Sequence, residues 1–259
     1  MKKILLSLGI IIVAVAIVAV GVLLIKGKTY KTQNPVATIQ IEGYEKPVKV
    51  ELDPQSAPNA VANFVKLVNN GFYTDFKMTI GEDSILGNEK MQMAKLSNIT
   101  ENPQKDYVYG IKGDFVRNGF DNLLKHKKGV ITMERDDYSY FGYTEEGYNS
   151  ANCNFAILTK DKDAYNGNYA AFGKVIEGMD VIDAIAATRV ETANENDNNS
   201  TEQADENDTQ NVIIIKSITV DTFGIDYGMP ETVNYEETIE KVNQIYSQYF
   251  GGNQTAIGE

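Results

Sequence analysis

Hydrophobic and polar positions change their rhythm several times along this chain, and each change predicts an element. From Ile4 to Ile25 the chain is apolar, with Ser7 as its one polar side chain and no charge. A soluble helix is not apolar on every face, and at ~1.5 Å per residue this run spans roughly 33 Å, against a bilayer core of ~30 Å. Residues 1–31 therefore read as a membrane anchor or a signal segment. A cleaved signal ordinarily has an apolar region of only ~7–15 residues, and Ala14-Val15-Ala16 offers a small-residue cleavage site in mid-run. Lys2 and Lys3 precede the run while Lys26, Lys28 and Lys31 follow it. This nearly balanced count encodes orientation weakly. Our reading is a membrane-anchored chain, held through residues 4–25, with its domain on the extracytoplasmic side.

After a polar spacer the period becomes two. Ala37–Glu42 and Val48–Leu52 alternate apolar and polar around the turn Gly43–Pro47, which predicts a hairpin. At Ala57–Asn70 the period lengthens to that of a helix. Val61, Phe64, Val65 and Val68 form its stripe, and Gly71 supplies a stop. Val130–Met133, Phe155–Leu158 and Ala170–Phe172 are short buried-strand candidates, and Met179–Ala187 is a second helix. Val212–Ile215 and Ser217–Val220 resume strand. In Glu231–Phe250 the residues Tyr235, Ile239, Val242, Tyr246 and Tyr249 mark one helical face. That face packs either on its own domain or on a partner.

Residues 191–210 break every period. They carry Glu191, Glu195, Asp197, Glu202, Asp205, Glu206 and Asp208, with no basic and no large apolar side chain. Such a segment buries too little surface to offset its ordering entropy, so it reads as a disordered acidic insertion. Oxygen ligands for calcium are plentiful there, but the EF-hand pattern is missing. The whole chain, 259 residues, carries a formal charge of -12. An acidic surface repels phosphate, so no nucleic-acid partner is expected. Cysteine occurs once, at Cys153, histidine once, at His126, and tryptophan is absent. No disulfide within the chain and no Cys- or His-based metal site follows from that inventory.

Four blocks, in order, resemble a known family. Ala57–Leu67 followed by Gly71-Phe72-Tyr73 is similar to the first helix of the cyclophilins. Ile111–Phe115 with Asn118-Gly119 and Leu124–His126 resembles the loop before a central cyclophilin strand, and Gly129–Met133 resembles that strand. Phe172–Val181 resembles the family's most recognisable stretch. The resemblance covers roughly 37 to 226. It implies a mostly β fold, an eight-stranded antiparallel barrel capped by two helices. The domains then read as 1–31, a barrel over 32–228 interrupted at 191–210, and a C-terminal amphipathic helix and tail over 229–259.

The resemblance also implies peptidyl-prolyl cis-trans isomerase activity, assistance to the folding of exported proteins, polypeptide clients that include proline-containing ones, and no cofactor. The family's mechanism uses an arginine that donates hydrogen bonds near the prolyl nitrogen, favouring the twisted amide over the planar one. Here that position is Met78, within Phe76-Lys77-Met78-Thr79-Ile80. The family glutamine is replaced by Leu86, the aromatic and methionine of the proline pocket by Asp83 and Ser84, and its pocket phenylalanine by Ala156. No catalytic residue is therefore assigned. The candidate substrate-binding residues are Asn154, Phe155, Arg135, Tyr165 and Tyr169. Lys77, one position from Met78, is expected to point away from the groove, because neighbours on a strand face opposite sides. His126 and Cys153 read as structural. Tyr138, Tyr140, Phe141, Tyr143 and Tyr148, with Asp136, Asp137, Glu145 and Glu146, form an aromatic and acidic loop, either packed on the barrel or a recognition surface. The same chain can thus be an isomerase or a non-catalytic, membrane-tethered polypeptide-binding module. One structural consequence is open to a simple test: deletion of 191–210 should leave the melting temperature nearly unchanged, and a large drop would mean that the segment is ordered or binds an ion.

Overall fold

The computed structural model describes residues 33–87, 109–190, 211–233 and 235–250. The apolar run 4–25, the acidic insertion 191–210 and the tail beyond 250 lie outside the described residues. Among the described residues no helix is long and apolar enough to cross a membrane.

Eight strands close into a barrel. In chain order they are β1 (Val36–Ile41), β2 (Val48–Leu52), β3 (Phe76–Ile80), β4 (Ser84–Gly87), β6 (Val130–Met133), β7 (Phe155–Leu158), β8 (Ala171–Glu177) and β9 (Val212–Asp221). Around the barrel the order is β1-β2-β8-β6-β7-β4-β3-β9, and every described pairing is antiparallel. β5 (Gly110–Ile111) and β10 (Thr232–Val233) form a separate two-stranded sheet.

The hairpin read from the sequence is β1–β2, with Val36 opposite Glu51 and Ile39 opposite Val48. The two runs flanking Lys216 are one strand. Gln40 pairs with Ser217 but Ile41 with Ile215, so Lys216 is the extra residue of a bulge. Its ammonium lies 2.8 Å from Asp75 and 3.6 Å from Glu42. β9 closes the barrel by pairing with β3 through Val212–Ile215 and with β1 through Ile215–Asp221. β8 runs past Phe172 to Glu177 because Lys174, Val175 and Glu177 continue the ladder with β2.

Helix α1 (Pro58–Asn69) begins with a proline, whose missing N–H costs nothing at a first helical position. The Asp114 carboxylate accepts the first-turn N–H groups of Asn59 at 2.8 Å and Ala60 at 2.9 Å, which have no partner within the helix. The helix stops at Gly71, whose positive φ of 73° suits glycine and whose N–H reaches the Val68 carbonyl. Phe64 carries the stripe into the barrel, with its ring 5.3 Å from Tyr73, 5.5 Å from Phe155 and 5.4 Å from Phe172. Helix α2 (Thr144–Tyr148) is a short turn in the β6–β7 connection. Helix α3 (Met179–Ala186) buries Val181, Ile182 and Ile185.

The C-terminal element expected from Glu231 divides in two. Thr232 and Val233 pair with Ile111 and Gly110 as β10, and helix α4 (Tyr235–Phe250) begins only afterwards. Val242 on α4 is fully buried, so this helix packs on its own domain. Glu237, 2.6 Å away, holds the Lys241 ammonium above its ordinary pKa, and the nearby Tyr143 and Glu146 act in the same direction. Val242→Asp should cost at least about 2 kcal/mol, because it places an unpaired charge in an apolar contact. The expected readout is a lower urea midpoint with faster amide exchange at Thr232 and Val233; unchanged stability would show the helix to be independent of the barrel.

Candidate functional site

Strand alternation divides the site residues between two faces. Ile80, Ile85, Ile157, Ile131 and Gly173 lie in register across β3, β4, β7, β6 and β8, and the four isoleucines are at most 4% exposed. This row points inward. A Cβ on Gly173 would come within 2.6 Å of the Glu51 carbonyl, so only glycine allows that approach. The adjacent row is Thr79, Leu86, Ala156, Thr132 and Ala171, in the same strand order, and it points outward. The candidate groove lies on this outer face.

Met78 belongs to the inner set. It is fully buried, shares the main core with Phe76 and Phe155, and pairs with Gly87. A thioether there has no hydrogen to donate. Lys77 is exposed and lies on the outer face with Thr79. The expectation that Lys77 turns away from the groove is corrected by this register: the outer face carries Leu86 and Ala156, and Met78 is the residue on the opposite side. Phe155 also lies inside. Its ring stacks with Phe76 at 6.2 Å and meets Tyr73 edge-on at 5.4 Å. It is 0% exposed, so the structure removes it from the set of side chains that a groove-bound peptide can touch. Asn154, just before β7, is half-buried, and its Oδ1 lies 3.0 Å from where a Cβ on Gly87 would sit, beside the core ring of Phe76. Ala156 is on the outer face yet fully buried, so no open floor exists at the position of the family's pocket phenylalanine.

Arg135, Tyr165 and Tyr169 do come together, as one wall beside the outer face. The Arg135 guanidinium lies 4.7 Å from the Tyr169 ring centre, 5.1 Å from Tyr148 and 5.6 Å from Phe115. Its Nε donates to the Asn168 carbonyl at 2.9 Å, and its Nη1 donates to the Asp136 carbonyl at 2.8 Å. Tyr169 stacks on Tyr165 with 4.1 Å between ring centres. Burial pushes the Tyr169 hydroxyl up to about 12. The Lys162 ammonium lies 4.6 Å over the Tyr165 ring. The wall is built from the β6–β7 connection and from the turn before β8, so loops supply it and the barrel positions them.

His126 joins this wall to the barrel. It is 1% exposed and meets Tyr165 edge-on at 5.7 Å. Its Nδ1 is 3.3 Å from Asn166 Oδ1, and its Nε2 is 3.1 Å from the Thr132 hydroxyl. The amide oxygen only accepts, so Nδ1 carries the proton and Nε2 accepts from Thr132. Burial lowers the imidazole from 6.5 to about 4, and the Asn166 bond opposes this. The reading of His126 as structural agrees with these contacts. Cys153 is fully buried too, and its carbonyl accepts the Tyr73 hydroxyl at 2.7 Å.

Tyr148 and Phe115 are site residues that the sequence reading did not assign. Tyr148 stood out only as one of several loop tyrosines, and the spacing of that loop does not say which ring turns inward. Among the described residues no group of three or more Cys, His, Asp or Glu side chains is placed to hold a metal.

The burial of His126 sets a pH dependence. Above pH 6.5 the group is neutral both folded and unfolded. As pH falls from 6.5 the unfolded chain takes up a proton that the folded imidazole refuses until about pH 4. Stability is therefore lost over that window, by up to about 3 kcal/mol from this group at ~1.4 kcal/mol per unit. Replacement by Gln should remove this component: urea unfolding at several pH values should show the gap between wild type and His126→Gln narrowing as pH falls. Parallel profiles would show that the imidazole is not neutral in the fold.

The family model described as cyclophilin type peptidyl-prolyl cis-trans isomerase/CLD matches residues 36–220. The chain is similar to the peptidyl-prolyl cis-trans isomerase A of Dickeya dadantii, at 32% identity over 146 residues, covering 56% of this chain and 68% of that protein. It is 26% identical over 164 residues to a peptidyl-prolyl cis-trans isomerase of Streptomyces antibioticus, covering 60% of this chain and 86% of the other. A crystal structure of a cyclophilin type peptidyl-prolyl cis-trans isomerase from Cryptosporidium parvum superposes with a TM-score of 0.50 at 19% identity, covering 73% of this chain and 98% of that one, a likeness of fold.

Proposed function

This chain belongs to the cyclophilin type peptidyl-prolyl cis-trans isomerase family, and on that premise we propose that its barrel is a polypeptide-binding module in which isomerase activity is weak or absent. The observation that carries the reading is the full burial of Met78 in the main core. Rotation about an X–Pro bond meets a barrier of ~18–20 kcal/mol because the amide is partly double-bonded. Lowering it requires a donor that binds the twisted amide better than the planar one. A buried thioether supplies none, and loss of such a donor ordinarily costs ~10²–10³ in rate. The closed floor at Ala156 and the apolar Leu86 at the glutamine position support the same reading.

In this reading the chain is tethered through residues 4–25, with the barrel on the extracytoplasmic side and polypeptides as its clients. The uncharged apolar run supports the tether. The Arg135–Tyr169–Tyr165 wall and the half-buried Asn154 are where a client segment docks in this reading. The second reading is an active isomerase that assists the folding of exported proteins. The family membership and the outward position of Lys77 favour it, since an ammonium on that face is the nearest substitute in sequence for the missing guanidinium.

A protease-coupled assay on an Ala-Pro peptide with the full chain separates the two. The expected acceleration is about 10²–10³ below that of a family member with the arginine in place. Full acceleration, lost in Arg135→Ala or Lys77→Ala, would overturn the non-catalytic reading.

A further inference from the structure

A concave site lies apart from the residues of the candidate groove. It is a cleft of about 370 Å³ at the start of α1. One side is family core: Pro58, Ala62 and Phe120, with Asp114 at the inner end. The other side is the segment after β9, namely Tyr227, Met229 and Glu231. That segment lies beyond the stretch matched by the family model, which ends at residue 220. The Asn59 side chain ties Glu231 of this segment to α1 and to Lys112. Its Nδ2 donates to the Lys112 carbonyl at 2.7 Å and to the Glu231 carbonyl at 3.0 Å, and its Oδ1 accepts the Glu231 N–H.

The chemistry of the cleft is lopsided. Asp114 is 5% exposed. Its Oδ2 accepts the amides of Asn59 and Ala60, while Oδ1 accepts no hydrogen bond from any described residue. Burial raises its pKa to about 6; Glu231 raises it further, and the two amides and Lys112 act against this. Lys112 is turned to Glu231 on the rim at 3.4 Å, with both side chains more than half exposed, a pair worth little in water. Among the described residues Asp114 therefore makes no ion pair, although the Lys112 charge acts on it from the rim. The walls offer two aromatic rings and the Met229 thioether, which is 72% exposed. A buried carboxylate in an open cleft of mixed lining, with Phe120, Tyr227 and Met229 set among Asn59, Asn118, Lys112 and Glu231, suits an amine or guanidinium carried on a hydrocarbon stem.

We propose that this cleft is a binding subsite for a single lysine or arginine side chain of a partner polypeptide, with the charged head at Asp114 and the stem between Phe120, Tyr227 and Met229. Charge complementarity favours this class of occupant: the chain carries -12 overall, and in the lining Asp114 and Glu231 outnumber Lys112, which is already turned to Glu231. The volume admits one long side chain and excludes a folded element. The proposal is independent of whether the outer groove turns proline.

The test uses the full chain, labelled with ¹⁵N, titrated with the capped tripeptides Ac-Ala-Lys-Ala-NH₂, Ac-Ala-Arg-Ala-NH₂, Ac-Ala-Gln-Ala-NH₂ and Ac-Ala-Glu-Ala-NH₂. Saturable shifts of the Gly113, Gly119 and Gly228 amides are expected with the lysine or arginine peptide, and affinity at least about tenfold lower for glutamine and glutamate. Affinity should fall as pH drops from 7.5 to 5, because the carboxylate is protonated below its raised pKa. Asp114→Asn should weaken binding about tenfold or more. Because that carboxylate also caps α1, Met229→Trp provides a second variant, which fills the cleft from an exposed position and should abolish the shifts. Equal shifts with all four peptides, shifts that survive Met229→Trp, or no saturable shift with either basic peptide would each overturn the assignment. The isomerase assay reads the other face, so its outcome does not bear on this one.

Discussion

The aromatic cluster inside the barrel constrains everything outside it. Phe64, Tyr73, Phe76, Phe155 and Phe172 interlock at ring separations between 5.1 and 6.2 Å. Eight strands enclose an interior just wide enough for side chains to fill. Because the side-chain period of a strand is two, the ring at position 76 commits every other residue of β3 to a face. Met78 is inward for the same reason that Phe76 and Ile80 are. Turning it outward would move all three, at a cost of about 1.5–3 kcal/mol for each large apolar side chain exposed. A side-chain rotation alone therefore does not bring position 78 to that strand's outer surface, where Lys77 is the charged residue.

The wall beside the outer face shows the opposite economy. Arg135 keeps its charge in contact with three rings and two carbonyl oxygens, so its guanidinium acts as a strut between the β6–β7 connection and the turn before β8. Each cation–π contact contributes about 0.5–1 kcal/mol when partly exposed. Through Tyr169 and Tyr165 the strut reaches His126, and through His126 it reaches Thr132 on the barrel. These side-chain contacts add to the backbone hydrogen bonds that close the turn, such as Tyr169 N–H to the Tyr165 carbonyl and Arg117 N–H to the Gly167 carbonyl. A neutral imidazole at the centre of the wall ties these contacts to pH.

Much of this was legible in the sequence, and the parts that were not have physical causes. Alternation gave β1 and β2, and the apolar stripe gave α1 to within one residue at each end. The family resemblance supplied the closed barrel, which no local pattern encodes. Lys216 hid the continuity of β9, because a bulge and a strand break look alike in a hydropathy pattern. Asn154, Phe155 and Ala156 were assigned from motif position, yet alternation sends the middle one inward, and only the register with β4 and β6 says which face is which. Tyr148 needed the fold of a loop to become a partner of Arg135. Thr232 and Val233 read as the start of a helix, and tertiary pairing with β5 made them a strand.

The segment after β9 changes how the two faces of the domain relate. Asn59 and Ala60 give their backbone amides to Asp114, while the Asn59 side chain holds Glu231. The first turn of α1 is thus shared between the family core and the appended strand and helix. An element attached this way is part of the folding unit, and its burial of Val242 agrees with that. Its position also sets where a partner can find unmet charge. The outer groove offers a buried methyl at Ala156 and a guanidinium already committed to carbonyls, whereas the cleft offers a buried carboxylate with one oxygen unclaimed by the described residues. A charge partly shielded from water attracts an opposite charge more strongly than one in open solvent, and desolvating the incoming cation works against that gain, so on the proposed assignment the cleft, and not the inherited groove, is where a cationic side chain attaches.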